Sequence, residues 1–393
     1  MARSYHRQPA ARAHILFGPA VLASALLATA AVSVIAGTHV ATRPTAHTSS
    51  AVTTAKTSGS ETRAAKAPAA KTTGWRIVAS FPPVGGLVLS GAIAANSAGD
   101  AWSVLTGAKF AAVYRWTGKA WAKVPLTGEV ASYAQSPLAF GGDSPSDFWL
   151  FSSYRRTEAL RWTGTTWRMS ALPAWVLPAK ATGTDAAVLG PDDVWVFNLG
   201  AGAYAAHYNG HGWAKVRLPA AVSEVSPVAA DDIWALAGKT ALHWNGHAWA
   251  VVKIPAAAGR PPESFQNLSA TGAKSAWVWR TLLVPGVDAV ADVLHWNGAK
   301  WQQVAGTPAD IIYSAVPDGA GGLWATGIDI NPGGFADFYH LTGGHWTQAD
   351  NPAGVWNHAP ENLTWIPGTR SLWGVAQGVT ATGLDTVILK YGS

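Results

Sequence analysis

The stretch ALHWNGHAWAVVKIP, residues 241–255, sets Trp244 and Trp249 on either side of an Asn245-Gly246 pair, and near copies of it recur along most of the 393-residue chain. Asn-Gly is the pair a two-residue hairpin turn favours, because both positions tolerate positive φ. Trp244 is therefore expected to close one strand and Trp249 to open the next, with the two rings on the two outer strands of one sheet.

Three words recur in fixed order. The first is a Trp that opens a strand just after a turn, at Trp102, Trp149, Trp195, Trp234, Trp277, Trp324 and Trp373. The second is RWTG at Trp116 and Trp162, HYNG at Tyr208, HWNG at Trp244 and Trp296, HLTG at Leu341, and KYGS at Tyr391. The third is the Trp that follows the turn: Trp121, Trp167, Trp213, Trp249, Trp301 and Trp346. That word is one copy short, and the missing copy lies at the other end of the chain. Trp75, in TGWRIVASFPP (73–83), has neither of the other words before it.

Successive first-word tryptophans lie 47, 46, 39, 43, 47 and 49 residues apart, within the ~40–50 residue period of four-stranded propeller blades. Each period holds four strand-like runs, such as LSGAIAA, AWSVL, AAVYRW and WAKVPL, separated by turn signals. The sequence thus predicts an all-β chain: a seven-bladed β-propeller over 74–393, with the strand around Trp75 completing the C-terminal blade beside Tyr391. The words take eighteen of the 22 tryptophans. A buried Trp removes ~150–250 Å² from water, so these rings are expected to fill the wedges between sheets.

On these motifs the chain resembles bacterial secreted β-propeller repeat proteins of the kelch-like, YVTN and Asp-box neighbourhood. Gly246 to Trp249 matches the Gly-x-x-Trp ending of an Asp-box, while Trp244 stands where that motif has its Asp. Kelch double glycines and the paired Gly-His and Trp-Asp of WD40 repeats are not regular here. The resemblance implies the fold and export, and no particular activity.

Charged residues are 13% of the chain, against ~25% in soluble domains. The net charge of +6 is unevenly spread: residues 1–73 hold eight Lys/Arg and the single acid Glu61, leaving 20 basic and 21 acidic residues for 74–393. The repeat region is not basic, which argues against nucleic-acid binding. Arg3, His6, Arg7 and Arg12 precede an uncharged stretch from Ile15 to Gly37, so 1–37 reads as a signal peptide or signal anchor. Val34-x-Ala36 suits cleavage, and the uncharged stretch is alternatively long enough to span a bilayer. Residues 38–73, rich in Ala, Thr, Ser and Lys, bring almost no large apolar side chain and read as a disordered linker. The expected location is extracellular, secreted or surface-anchored, with membrane contact only through an uncleaved amino end, and the expected state is a monomer. The absence of cysteine excludes disulfides and thiolate metal sites.

The residue before each second-word aromatic is basic in all seven units: Arg115, Arg161, His207, His243, His295, His340 and Lys390. Alternation with the aromatic turns it toward the adjacent blade, where it needs a partner. The structural reading is a blade-to-blade hydrogen bond. Candidate acceptors are Asp100, Asp147, Asp193 and Asp232, each two residues before a first-word Trp, whereas the other units carry Ser275, Gly322 and Ser371. The functional alternative is a basic ring for an anionic ligand.

Residues serving a ligand should break the repeat. Irregular loops carry Trp175; Trp279, Arg280, Asp288 and Asp292; Trp356, Asn357, His358 and Glu361; Arg260 and Glu263; and Tyr154, Arg155, Arg156 and Glu158. Of these, Trp175, Trp279, Arg280, Trp356, His358 and Glu361 are the candidate ligand contacts. An exposed Trp beside acids and amides suits a sugar ring. The leading expectation is a binding propeller that takes an envelope glycan or protein on its loop-rich face. The alternatives are a carbohydrate-active hydrolase or lyase using carboxylates such as Glu263 and Glu361, and a non-catalytic assembly scaffold. AGKT at 237–240 lacks the first glycine of a phosphate loop, position 233 being Ile, and no Gly-x-Ser-x-Gly or His-Glu-x-x-His occurs. Asp329, Asn331 and Asp337 have no recognised calcium spacing. No cofactor and no metal is expected.

Overall fold

The computed structural model describes residues 74–392 apart from 85–89, 108–109, 135–136, 153–155, 180, 182, 260–262, 283–289, 307, 310, 329–335, 356–359, 361 and 381–382. They form seven four-stranded antiparallel sheets. Blade 1 is β2 (Ser90–Ser97), β3 (Asp100–Gly107), β4 (Phe110–Trp116) and β5 (Trp121–Val124). Blade 2 is β6 (Pro137–Ser144), β7 (Asp147–Ser152), β8 (Glu158–Trp162) and β9 (Trp167–Ala171). Blade 3 is β10 (Gly183–Gly190), β11 (Asp193–Leu199), β12 (Tyr204–Tyr208) and β13 (Trp213–Arg217), and blade 4 is β14 (Glu224–Ala229), β15 (Asp232–Ala237), β16 (Thr240–Trp244) and β17 (Trp249–Lys253). Blade 5 is β18 (Glu263–Gly272), β19 (Ser275–Leu282), β20 (Val290–Trp296) and β21 (Trp301–Gly306). Blade 6 is β22 (Ile311–Pro317), β23 (Leu323–Ile328), β24 (Asp337–Thr342) and β25 (His345–Ala349). A short helix, α1 (Glu129–Tyr133), lies between blades 1 and 2.

Blade 7 closes the ring with strands from both ends of the chain. Its order is β1 (Trp75–Phe81), β28 (Gly383–Tyr391), β27 (Leu372–Thr380) and β26 (Asn362–Trp365). Trp75 pairs with Tyr391, and the register runs through Arg76 and Lys390 to Phe81 and Thr386. The amide of Gly392 donates to the carbonyl of Gly74 at 3.3 Å.

The second strand of each blade is covered on both faces, so it reads as a continuous apolar run; β7 and β15 are buried at every position. The first-word Trp on that strand faces the next blade. Trp195 of blade 3 lies 5.3 Å from Trp244 and 6.2 Å from Trp249 of blade 4. Trp373 of blade 7 meets Trp116 and Trp121 of blade 1 at 5.0 and 5.3 Å. Trp75 takes the missing third-word place and packs at 5.0 Å against Phe338 of blade 6. Aromatic wedges therefore glue each blade to the next around the circle.

The opening stretch needs one correction. Trp244 and Trp249 do pair across the two outer strands, but the turn between them has four residues, with the amide of Asn245 bonded to the carbonyl of Ala248 at 3.3 Å. Gly246 alone takes positive φ, at 87°. Asn245 works through its side chain, whose oxygen accepts from the amides of His247 and Ala248 at 3.0 and 2.9 Å.

Candidate functional site

The tight turns between first and second and between third and fourth strands lie on one face of the disc. Antiparallel order puts the second-to-third loops and the blade-to-blade connectors on the opposite face. That loop face holds the start of every innermost strand and hence the upper mouth of the central channel.

The seven repeat-locked basic residues are part of the blade framework. Each pairs in register with its own blade's first-word Trp, from Trp102 with Arg115 to Trp373 with Lys390. The four histidines stack on that indole, with ring centroids 3.8–4.4 Å apart. The cations of Arg115, Arg161 and Lys390 sit 5.0–5.9 Å from theirs. Arg161, His207 and His243 each meet an aspartate oxygen at 2.8 Å: Asp147, Asp193 and Asp232. The expected blade-to-blade bond is thus corrected for these acids, which belong to the same blade because the register places them beside the basic side chain. The arginines also cross to the next blade, Arg115 to the carbonyl of Pro145 and Arg161 to that of Pro191, both at 2.9 Å. In blade 6, where Gly322 replaces the acid, Asp318 reaches His340 from the preceding turn at 2.9 Å. A Cβ at position 322 would sit 2.0 Å from the carbonyl of Leu341.

Trp279 and Arg280 are not loop residues. They lie on β19, and Trp279 is fully buried against blade 6, 6.1 Å from Trp346. A ligand cannot stack on it. Arg280, 5% exposed, donates from Nε and Nη2 to the Asp292 carboxylate at 2.9 and 2.6 Å. Its Nη1 donates to the carbonyl of Pro255 at 3.1 Å. Glu263 lies 4.0 Å from the same guanidinium and accepts from the amide of Ala257 at 3.2 Å. This buried cluster clamps the connector between blades 4 and 5, which leaves Arg280 and Glu263 committed to the scaffold. Trp356, Asn357, His358 and Glu361, with Tyr154, Arg155, Arg260, Asp288, Asp329 and Asn331, lie outside the described residues.

The channel mouth holds two acids that the sequence reading missed. Asp185 is the third residue of β10 and Glu224 the first of β14, on neighbouring blades. Glu224 accepts from the amide of Leu268 in blade 5 at 2.8 Å, and Asp185 accepts from the amide of Ala186 at 2.9 Å. Burial pushes Glu224 up to about 8, although the amides of Leu268 and Asn267 act in the opposite direction. Burial likewise raises Asp185 well above the usual range, with the nearby Glu224 adding to it. Glu224 therefore holds its proton more tightly in the fold than in the unfolded chain. Between its unfolded value near 4.5 and about 8 the native state holds more protons, so stability is greatest below that window and falls as pH rises through it. Glu224→Gln is expected to remove most of this fall in stability, about 3 kcal/mol between pH 5 and 8. Urea midpoints at a series of pH values check this, and parallel curves for the two proteins would contradict it.

Trp175 is the sequence-predicted ligand residue that the structure presents at the surface. It lies on the connector between β9 and β10, half-buried over the seam of blades 2 and 3. The connector is pinned at three carbonyls: Trp175 accepts from the Tyr204 hydroxyl at 3.1 Å, Val176 from Asn198 at 2.8 Å, and Pro178 from Arg156 at 3.2 Å. The ammonium of Lys215 lies 4.0 Å from the Tyr204 ring and 6.0 Å from that of Trp175. The result is a rigid aromatic shelf with a cation at its edge. Tyr204 and Lys215 escaped the sequence reading because they sit inside ordinary strand runs and reach Trp175 only across the seam.

Among the described residues no group of three or more His, Asp or Glu could hold a metal, and no helix is long and apolar enough to cross a membrane. These features define a seven-bladed β-propeller. Its likeness to solved propellers is one of fold. A YCF48 bound to a D1 peptide aligns with TM-score 0.53 at 12% identity, covering 83% of this chain and 99% of that one. YCF48 from Cyanidioschyzon merolae aligns with TM-score 0.50 at 15% identity, over 81% and 98%. The extracellular domain of the one-component system BT4673 from B. thetaiotaomicron aligns with TM-score 0.50 at 12% identity, over 80% of this chain and 39% of that one. No family model and no curated protein matches the sequence.

Proposed function

We propose that this chain is an exported binding propeller, carried out of the cytoplasm by residues 1–37 and spaced from its anchorage by residues 38–73. It acts as a monomer that recognises an envelope glycan or protein on its loop face. The observation that carries this reading is the pinned Trp175 shelf. A rigid, partly exposed indole with a tyrosine and an ammonium beside it offers an apolar plane and polar edges without the entropy loss of ordering a loop on binding. The reading is also supported by the consumption of Arg280, Asp292 and Glu263 in a structural clamp, since this removes described candidates for catalysis. That a YCF48 propeller of similar layout is bound to a D1 peptide supports a binding role for such a disc.

The test is binding of the purified chain and its Trp175→Ala variant to a glycan array and to immobilised envelope fractions. Loss of the shelf is expected to weaken binding at least tenfold, the scale of an aromatic hot spot, while leaving the melting temperature within about 2 °C. Undiminished binding by the variant would contradict the shelf's role, and turnover of any arrayed glycan would favour the hydrolase alternative.

A further inference from the structure

We propose a second binding site, separate from the Trp175 shelf: the groove at the outer rim between blades 4 and 5, which takes an extended peptide segment of a partner protein, with an apolar side chain flanked by carboxylates. The groove holds about 620 Å³ between β17 and the outer hairpin of blade 5, with Val251, Ile254, Pro255 and Trp296 among its lining and Lys253 and Lys300 at its lips.

Three observations select this occupant. The lining is apolar apart from the lysines and two indole N–H groups: that of Trp296 is donated to the carbonyl of Ala273 at 3.1 Å, and that of Trp301, a residue 6% exposed, has no partner among the described residues. Val251, by contrast, is half exposed, at 50%. Both lysines are exposed and among the described residues no acid lines the groove, so the rim carries positive charge that suits carboxylates. β17 is the outermost strand of its sheet and is bonded to β16 alone, which leaves main-chain donors and acceptors beside the groove for an extended backbone.

The same features disfavour other occupants. A glycan would find two ammonium groups and otherwise apolar side chains for its hydroxyls. The chain's own segment 1–73, with eight basic residues and one acid, would be repelled. The buried clamp also gains a role here. Arg280 holds the Pro255 carbonyl and is itself fixed by Asp292, so one wall of the groove is set before any peptide arrives. Arg280 acts through Pro255, as a positioning residue.

An array of random nonapeptides probed with the whole chain is expected to enrich sequences in which Leu, Ile, Val or Phe lies within two positions of Asp or Glu. The best peptide, labelled and followed by fluorescence anisotropy, is expected to bind at least about tenfold more weakly to the Lys253→Glu, Lys300→Glu double variant and to weaken as salt is raised. The exposed positions leave the fold intact, which near-ultraviolet circular dichroism of the variant checks. Trp175→Ala is expected to leave this binding unchanged, so failure of the shelf and failure of the groove are separate results. Enrichment of basic or purely polar peptides, binding that survives the double reversal, or binding abolished by Trp175→Ala would each overturn the assignment.

Discussion

A chain that begins at Ser90 is expected to lose at least about 5 kcal/mol of stability relative to one that begins at Gly74, enough to unfold the ring or leave it prone to aggregate. Removing β1 takes away Trp75, whose ring bridges blade 7 to blade 6 through Tyr391 at 5.3 Å and Phe338 at 5.0 Å. Trp75 is partly buried, so loss of its side chain takes a share of the about 3–5 kcal/mol that deleting a fully buried Trp costs. The truncation also strips six register pairs from β28, and Val387, Ile388 and Leu389 of that strand are fully buried. An uncovered apolar edge of this length is a template for pairing between chains. Urea unfolding followed by tryptophan fluorescence, with light scattering for association, reads both effects. An unchanged midpoint in a monomeric truncated chain would mean that the ring is held shut some other way.

The fold was legible because its glue is periodic. A Trp on the second strand of each blade packs against the outer strands of the next, where a Trp and a second, mostly aromatic side chain face it, so the three words repeat at blade spacing. The orphan Trp75 shows where the circle is joined for the same reason. What the repeat did not encode was missed. In β19, SAWVWRTL, two tryptophans alternate on one strand, and both Trp277 and Trp279 point into the blade 5–6 core. Sequence alone gave Trp279 no partner word, which made it look like a loop residue. Asp318 serves His340 from the preceding turn, outside the offset from the first-word Trp that the other blades use, so the acid of blade 6 has no mark in the repeat. Asp185 and Glu224 leave a faint trace as single acids in otherwise apolar inner strands. Their coupling needs the ring to bring β10 beside β14.

The candidate sites were less legible still, since each lies on a seam between blades. The shelf joins residues 175, 204 and 215, and the groove joins residues 251–255 to a hairpin more than 40 residues on. No local pattern marks such pairs, because what brings them together is the angle between neighbouring sheets. The shelf's Trp175 could be singled out only because it breaks the repeat.

Head-to-tail closure is the premise shared by every seam, and a cross-strand disulfide tests it directly because the chain has no cysteine of its own. Arg76 and Lys390 are register partners on β1 and β28. Arg76→Cys with Lys390→Cys should therefore oxidise readily in the folded protein. Chain-entropy arguments put the stabilisation from closing so long a loop at up to about 5 kcal/mol, with native strain reducing it. The measurement is the fraction of intramolecular cross-link formed under mild oxidation, set against the register-shifted pair Arg76→Cys with Ile388→Cys. Near-complete bridging of 76 to 390, with a rise in melting temperature and little bridging of 76 to 388, is the predicted result. Two freely labelled thiols at 76 and 390 in a folded chain would contradict a ring closed by these strands.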